Sequence, residues 1–355
     1  MNRIEPILEL ARWAPSGDNT QPWRFEIVDE RHVIIHGFDT RSHCVYDLRG
    51  RASQLSIGVL LQTIKIAATK YQLRCEISRQ TSAPEIAPCF DVRFVDDSNA
   101  VPDALVDSIE KRATQRRPMN WRSLSPSDKQ QLSDAAGPNY SIEWWTLPAE
   151  KFRIARLLLK NARLRLITPE AFEVHRSVIE WNAQFSETRI PDRALGLDPV
   201  GLRLTQWAMQ DWTRMNLINS IPGGTLVSRL QLDFIPSLFC SGHFALIATK
   251  RPETIDDFID AGMAVQRVWL QLTALERWMQ PEMTPLIFSG YLHDKIDFTV
   301  QDRAVSLATA LKNEFEGIVG KSKCERAVWM GRIGSSNGPQ SRSIRQPLSA
   351  LQTKR

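Results

Sequence analysis

The feature that most constrains this chain is a pattern that occurs twice. The segment IGVLLQTIKIAAT carries Gly58 and Gln62, and AGMAVQRVWLQLT carries Gly262 and Gln266, 204 residues further on. A threonine follows each glutamine at the same distance, and an apolar strand is predicted before each helix. Self-similarity at a fixed offset indicates copies of one structural unit. We therefore expect an α+β protein, with mixed sheet flanked by helices, that is duplicated internally.

A second, weaker repetition has the same order along the chain. ILELARWAPSGDNTQPWRFEIV and QQLSDAAGPNYSIEWWTL both suggest a helix, a turn and an aromatic strand, but the second copy lacks the Pro-Ser and Gln-Pro-Trp details. We predict an N-terminal half, a C-terminal half with an insertion or lid, and a basic tail. These three parts cover residues 1–100, residues 101–333 with the insertion at about 186–236, and residues 334–355.

Hydrophobic periodicity and capping residues predict the other elements. Ser125 is a plausible N-cap, and residues 186–236 suggest an irregular excursion rich in Pro, Gly and Trp. The predicted helices are 2–13, 53–71, 103–115, 125–136, 150–185 and 254–279, and the predicted strands are 23–29, 32–38, 89–96, 141–147 and 243–250.

Composition narrows the function classes. The 355 residues are 43% hydrophobic and 24% charged, which is typical of a globular protein with a full core. The net charge of +5 is spread out, apart from residues 111–117 and the tail, so it favours an anionic small ligand over nucleic acid. Five cysteines without a CxxC pair favour free thiols in a reducing compartment. With no apolar run of about 20 residues and no secretory signal, we expect a cytoplasmic protein without a membrane span.

The loop APSGDNTQPWRF is the first candidate for binding. Ser16 and Asn19 would offer hydrogen bonds there, while Trp13 or Trp23 would wall a flat ligand. The alternative is a loop whose tryptophans only pack in the core, which is the commoner case for composition alone.

Two basic segments are the second candidate. Arg112 and Arg116 flank Thr114 in one segment, and Arg342 and Arg345 lie in the Gly-rich tail. The planar fork of arginine matches phosphate, so both segments suit an anion. A solvated basic face and a disordered basic tail are the respective alternatives.

Other chemistries find no support in the sequence. His32 and His36 would share one face of a strand, but no further ligand has metal-site spacing, so a packed or surface pair is favoured and no metal is predicted. Because GxSxG, HExxH, P-loop and GxGxxG patterns are absent from the sequence, hydrolase and Rossmann dehydrogenase activities are unsupported.

Taken together, APSGDNTQPW, RATQR, AGMAVQRVWLQLTAL and SIRQPL resemble the FMN-dependent nitroreductase family over most of the chain. RRPMNW and DTRSHCVYDLRGRASQLSIGVLL are similar to a long branch in which one chain carries two related lobes. In ordinary members the flavin lies at a homodimer interface, with arginines from one subunit and the Pro-Ser loop from the other. Here each half holds only one of these parts, which implies a fused pseudo-dimer that binds one FMN.

The resemblance also implies roles for residues. Flavin would take hydride from NAD(P)H and pass electrons to a small-molecule acceptor, so no catalytic side chain is named. Family members have a Glu-Gly pair near flavin N5, which this chain lacks. Residues Met279–Met283 mark only the place where that pair would lie. The cofactor-binding set implied is Arg112, Thr114 and Arg116 at the phosphate and ribityl side, Arg342 and Arg345 at the phosphate, and Pro15, Ser16 and Asn19 at the ring.

Three alternatives remain open at this point. The chain would be a flavin-sequestering protein without turnover, a biosynthetic flavin dehydrogenase that acts with a partner enzyme, or a degenerate module that has lost flavin. The sequence leaves open the acceptor, the choice between NADH and NADPH, and whether the pseudo-dimeric chain is a monomer or forms a homodimer.

Overall fold

The computed structural model describes residues 3–353, which form a mixed helix and sheet structure. The helices are α1 (Ile4–Ala11), α2 (Arg51–Thr69), α3 (Pro126–Ala136), α4 (Pro148–Ile167), α5 (Pro169–Val178), α6 (Pro199–Ala208), α7 (Trp212–Ser220), α8 (Leu226–Arg229), α9 (Ile235–Leu238), α10 (Ile255–Ala274), α11 (Thr284–His293), α12 (Asp302–Val319), α13 (Lys321–Arg326) and α14 (Leu348–Leu351). The strands are β1 (Trp23–Asp29), β2 (His32–Gly37), β3 (Leu73–Arg79), β4 (Cys89–Asp96), β5 (Tyr140–Trp145), β6 (Ile179–Glu180), β7 (Phe185–Ser186), β8 (Ile190–Pro191), β9 (Gly242–Ala248), β10 (Trp278–Pro281), β11 (Ala327–Gly334) and β12 (Arg342–Ser343).

The two helices with the repeated pattern, α2 and α10, pack against each other at the centre of the molecule. A Cβ atom on Gly58 would lie 2.0 Å from the carbonyl oxygen of Ile259, and one on Gly262 would lie 2.1 Å from that of Leu55. Only glycine allows the backbones to approach this closely. The Gln266 amide also crosses the interface, where it donates a 2.9 Å hydrogen bond to the Thr63 hydroxyl.

Two four-stranded antiparallel sheets flank this helix pair. Their strand orders are β1-β2-β4-β3 and β5-β9-β11-β10. The orders become identical when each strand is numbered within its own half, and α2 follows β2 as α10 follows β9. This agreement supports the duplication, which remains a prediction together with the domain boundaries.

The hydrophobic core is shared between the halves. Trp23 and Phe25 of β1 are fully buried in the same cluster as Phe244 of β9 and Trp269 of α10. A second cluster packs α4, α11 and α12 on the other side of β9 and β11. This arrangement confirms the α+β class, because helices cover both sheets rather than alternating with parallel strands.

Most predicted elements are confirmed, including the strands near residues 23, 32, 89, 141 and 243 and the Ser125 cap, whose hydroxyl accepts a hydrogen bond from the Asp128 N–H. The helix predicted over 103–115 is wrong: only a 3-10 turn forms there, at Val106–Ser108. The backbone N–H of Gln115 donates instead to the Met279 carbonyl at 3.0 Å, so it is not available for a helical bond.

Further differences lie in the C-terminal half and in β3. The long helix predicted over 150–185 is broken at Pro169 and ends at Val178. The excursion over 186–236 is largely helical rather than irregular, since α6 to α8 lie in it. α10 ends at Ala274, and the last two residues of the helix predicted over 254–279 belong instead to β10. β3 was not predicted, because its alternation mixes charged residues with a small apolar face.

The basic tail is ordered against the first half up to residue 353. Leu348 and Leu351 are buried, and the Thr353 N–H donates to the Phe25 carbonyl at 2.9 Å. A disordered tail is therefore wrong for these residues, while the last two residues lie outside the described structure. No helix within residues 3–353 is long and apolar enough to cross a membrane.

Candidate functional site

A cavity of about 460 Å³ lies between the two halves. The loop after α1, the start of α2, the segment around Thr114, α5, α11 and the tail all contribute to its walls. The structure brings together the eight residues that the family resemblance implies for cofactor binding, whereas Trp13 and Trp23 do not line the cavity. The eight residues are Pro15, Ser16, Asn19, Arg112, Thr114, Arg116, Arg342 and Arg345.

One end of the cavity is strongly basic, and Arg112 is its most enclosed residue. Arg112 is 4% exposed, and its guanidinium lies 4.7 Å from the centre of the Trp269 ring. One of its terminal nitrogens donates to the Trp13 carbonyl at 3.0 Å, whereas its buried Nε atom has no hydrogen-bond partner. Burial and the charges of Arg345 and Arg342 hold the pKa of Arg112 well below its usual value.

Arg345 completes this basic end. Its Nε atom donates to the Ala14 carbonyl at 2.9 Å, and burial together with Arg342 and Arg12 lowers its pKa to about 9. Within residues 3–353, no carboxylate forms an ion pair with Arg112 or Arg345. Buried cations without a counter-charge are costly, so this arrangement suits an anionic ligand. We call Arg112, Arg342 and Arg345 the basic end of the cavity.

The tryptophans that line the cavity are not the ones that the sequence predicted. Trp23 is fully buried in the core, and Trp13 packs between the guanidinium groups of Arg12 and Arg342 at 5.3 and 5.0 Å. Neither tryptophan is among the described residues that line the cavity, so the expectation of a ligand wall is wrong for both. Trp269 and Trp329 line the cavity instead, and neither was predicted from the sequence.

The Pro-Ser loop is held in a tight turn. Asp18 and Asn19 have left-handed backbone angles, with φ of 50° and 62°, a conformation that costs energy for residues other than glycine. The Ser16 hydroxyl accepts a hydrogen bond from the Gln21 N–H at 2.9 Å, which closes the turn. The Asn19 amide nitrogen donates to the carbonyls of Glu187 at 3.0 Å and Ile344 at 3.1 Å. The amide oxygen of Asn19 is buried without a partner.

The segment from Arg112 to Arg116 enters the site without forming a helix. Thr114 forms a β-bridge with Met279, which fixes the segment beside β10. Arg116 then lies near Asp18 of the Pro-Ser loop. Burial lowers the pKa of Arg116 to about 10, although the charge of Asp18 opposes this shift. Asp18 and Arg116 both line the cavity, where burial raises the pKa of Asp18 and the charge of Arg116 opposes that shift.

The cavity lining also contains a neutral polar pair that was not predicted from the sequence. The Tyr46 hydroxyl lies 3.0 Å from His175 Nε2, and the two rings stack with centroids 5.7 Å apart. Burial and the nearby charge of Arg165 lower the pKa of His175 to about 3, and burial raises that of Tyr46. Both side chains are therefore uncharged at neutral pH. They come from distant segments, and no local motif joins them.

The location expected for the missing Glu-Gly partly lines the cavity. Gln280, Pro281 and Met283 face it, and the Gln280 side-chain oxygen is buried without a partner. Pro281 has no N–H to donate. Glu282 is buried in an ion network with His243 and Arg332, at 2.7 and 3.0 Å.

The histidine pair in β2 has ordinary partners. His32 Nε2 lies 2.7 Å from an Asp91 oxygen, and His36 Nε2 lies 2.7 Å from a Glu26 oxygen. No group of three or more His, Cys, Asp or Glu side chains within residues 3–353 is arranged to hold a metal ion.

No family model matches the chain. Among curated proteins, the chain is 22% identical to uncharacterized protein MT1398 of Mycobacterium tuberculosis, over 82% of this chain and 40% of the relative. It is 29% identical to uncharacterized proteins MT3212 and Rv3127 of the same species, over 39% of this chain and 52% of each relative. The chain thus spans about half or less of the length of these relatives.

Two solved structures resemble the fold at low superposition scores. One is a nitroreductase-like family protein from Bacillus cereus, which is 10% identical with a TM-score of 0.37 and aligns over 72% of this chain and 97% of its own. The other is the FMN-dependent nitroreductase NfnB from Mycobacterium smegmatis in complex with NADPH, which is 13% identical with a TM-score of 0.38. It aligns over 70% of this chain and 96% of its own. Both proteins come from the family that the sequence motifs resemble.

Proposed function

We propose that this chain is a nitroreductase-like flavoprotein that holds one FMN in the cavity between its halves. It takes hydride from NAD(P)H and passes electrons to a small-molecule acceptor. The observation that carries the proposal is the basic end, where Arg112 and Arg345 are buried without a counter-charge. A phosphate group would supply that charge through charge-assisted hydrogen bonds.

The unpartnered polar atoms of the cavity fit the rest of this cofactor. Arg112, Arg342 and Arg345 would hold the phosphate, and the free Arg112 Nε atom would donate to it. The buried amide oxygens of Asn19 and Gln280 need donors, which the N–H and hydroxyl groups of FMN offer. Bound flavin supplies two-electron hydride chemistry, while the protein provides its placement and electrostatics.

The second candidate, a flavin-sequestering protein, is supported by the closure of the site. Asn19 binds the carbonyls of Glu187 and Ile344, and β12 pairs with β7 through Arg342 and Phe185. These contacts attach the start of the excursion to the Pro-Ser loop and the tail. A cavity tied in this way would restrict the access of an acceptor to bound flavin.

Flavin content tests the proposal first. Purified protein is expected to show flavin absorbance and to release FMN on denaturation. The double variant Arg112→Ala, Arg116→Ala is expected to lose the flavin while it remains folded by circular dichroism. Arg74→Ala is the control, because Arg74 is an exposed residue of β3 that pairs only with Glu76. Unchanged flavin occupancy in the double variant would contradict the assignment.

Turnover separates the two candidates. Stopped-flow mixing of the flavin-loaded protein with NADPH or NADH is expected to bleach the flavin rapidly if the chain is an oxidoreductase. A flavin that stays oxidised under both donors would favour the sequestering protein.

A further inference from the structure

A second basic cluster lies at the rim of the cavity, and the proposed flavin site does not use it. The rim cluster consists of Arg49, Arg51, Arg251 and Asp294. Arg251 pairs with one Asp294 oxygen at 3.0 Å, and Arg51 approaches the other at 3.5 Å. Arg49 also pairs with that second oxygen. Three guanidinium groups therefore share one carboxylate.

The rim cluster has an excess of positive charge. Within residues 3–353, Asp294 is the only carboxylate that forms an ion pair with any of these arginines, which leaves two cations unbalanced. Burial and the charge of Arg49 lower the pKa of Arg51 to about 10, although Asp294 opposes this. The arginine side chains are 34%, 29% and 37% exposed, so a ligand from solvent can reach them.

The backbone around Arg49 and Arg51 is fixed. Gly50, between them, has a φ of 70°, and its N–H donates to the Asp47 carbonyl at 2.7 Å. The Asp47 carboxylate accepts from the Ala52 N–H at 2.8 Å, which caps the start of α2. The arginines are thus presented by an ordered turn, so less conformational entropy is lost when they bind a ligand.

The rim cluster is separate from the basic end. The charges that shift the pKa of Arg51 come from Arg49, Asp294, Arg251 and Tyr291, whereas those that shift Arg112 come from Arg345 and Arg342. Arg49 and Arg51 line the cavity, whereas Arg251 is not among its lining residues. The lining of the cavity thus includes the enclosed Arg112 and Arg345 and the more exposed Arg49 and Arg51, besides Arg116 and Arg165.

We propose that the rim cluster is an anion subsite that binds a phosphate group of the pyridine dinucleotide donor. This inference rests on the proposed function, because the dinucleotide would bring hydride to flavin in the same cavity. Arginine forks bind phosphate in two-point contacts, and three of them with one carboxylate match a dianionic group in charge. Both the 2′-phosphate of NADPH and the pyrophosphate of either dinucleotide have this chemistry.

Calorimetric titration with 2′,5′-ADP and with ADP tests the subsite without turnover. Arg251→Gln is expected to weaken binding roughly tenfold or more. The matched control is Arg267→Gln, since Arg267 is also 37% exposed but has its own partner, Asp103. This control is expected to bind like the wild type. A loss with 2′,5′-ADP alone identifies the 2′-phosphate, and an equal loss with ADP identifies the pyrophosphate.

A second variant, with the opposite expected effect on affinity, keeps the proposal testable if Arg251→Gln folds poorly. Asp294→Asn removes the carboxylate that these three arginines share, so it is expected to tighten 2′,5′-ADP binding about threefold. If the ion network were purely structural, Asp294→Asn would not increase the affinity for 2′,5′-ADP and Arg251→Gln would not specifically decrease it. The inference is overturned if the wild type binds neither nucleotide, or if Arg251→Gln and Arg267→Gln bind alike. Failure of the proposed function would show separately, as wild-type protein without flavin.

Discussion

Two groups of buried arginine in this molecule differ in how their charge is balanced. Arg332 is 3% exposed and donates to Glu282 at 3.0 Å, and Glu282 in turn lies 2.7 Å from His243. We call these three residues the buried triad. In the basic end, by contrast, Arg112 is 4% exposed and donates only to a backbone carbonyl.

The difference indicates which charges serve the fold and which serve a ligand. In the triad, burial opposes the charge on His243, but Glu282 and Cys240 outweigh it and raise the pKa of His243 to about 10. The chain supplies both signs of charge there. In the basic end it supplies only one sign, and a native protein retains such an imbalance at a cost. The triad is also adjacent to the cavity, because Arg332 donates to the Arg116 carbonyl at 2.9 Å.

The largest expected effect comes from opening the triad. Glu282→Gln would leave the buried cations Arg332 and His243 without their carboxylate, and we expect a loss of about 3–5 kcal/mol in the free energy of unfolding. Urea unfolding of flavin-free protein measures this. Glu76→Gln, in an exposed pair with Arg74, is the control and should cost less than about 1 kcal/mol. Equal losses in the two variants would remove the distinction between the groups.

The residues that the sequence grouped together lie in one cavity, whereas the local structure of the segment around Arg112 was predicted wrongly. Arg112 and Arg345 were assigned to one anion through motif resemblance, and both line one cavity with the Pro-Ser loop. The helix expected around Arg112 did not form, because hydrogen bonding to Met279 across the chain prevailed over local propensity. A motif identifies residues that are suited to a ligand, whereas local sequence patterns carry no information about hydrogen bonds to strands that are distant in the chain.

Side-chain pairs that form only through tertiary packing could not be predicted from the sequence. Tyr46 and His175 meet although they are far apart in the chain, and the segment around Tyr46 gives no sign of its partner. The buried triad joins β9, β11 and the residue after β10. The tryptophans illustrate the same limit: the resemblance to flavoproteins favoured a ligand wall and composition alone favoured packing, and Trp23 packs in the core and Trp13 against arginines.

The basic end is expected to respond in the opposite way from the triad. Arg112→Met removes a buried cation that has no carboxylate, so the flavin-free protein should lose no more than about 1 kcal/mol of stability. The same change should weaken FMN binding roughly 10- to 100-fold, because hydrogen bonds to charged groups contribute about 1.5–3 kcal/mol. Urea unfolding and FMN titration measure the two effects. A large loss of stability with unchanged FMN affinity would make Arg112 a structural residue like Arg332.

The smallest expected effect compares the two buried histidines as the pH changes. Burial and Arg165 hold the pKa of His175 at about 3, below its ordinary value of 6.5, so the folded state resists protonation. Below pH 6.5 the unfolded chain binds this proton and the folded chain does not, so the contribution of His175 to stability falls as the pH drops toward 3. His243 has the opposite sign: its raised pKa stabilises the fold below pH 6.5, and that contribution is lost as the pH rises through about 10.

The variant His175→Gln should therefore lose less stability than the wild type between pH 7 and pH 5, by about 1 kcal/mol, a value reduced because His175 contacts the cavity. Urea unfolding at several pH values measures this effect. If the variant and the wild type lost stability in parallel, His175 would be protonated in the folded protein and its pair with Tyr46 would not be neutral.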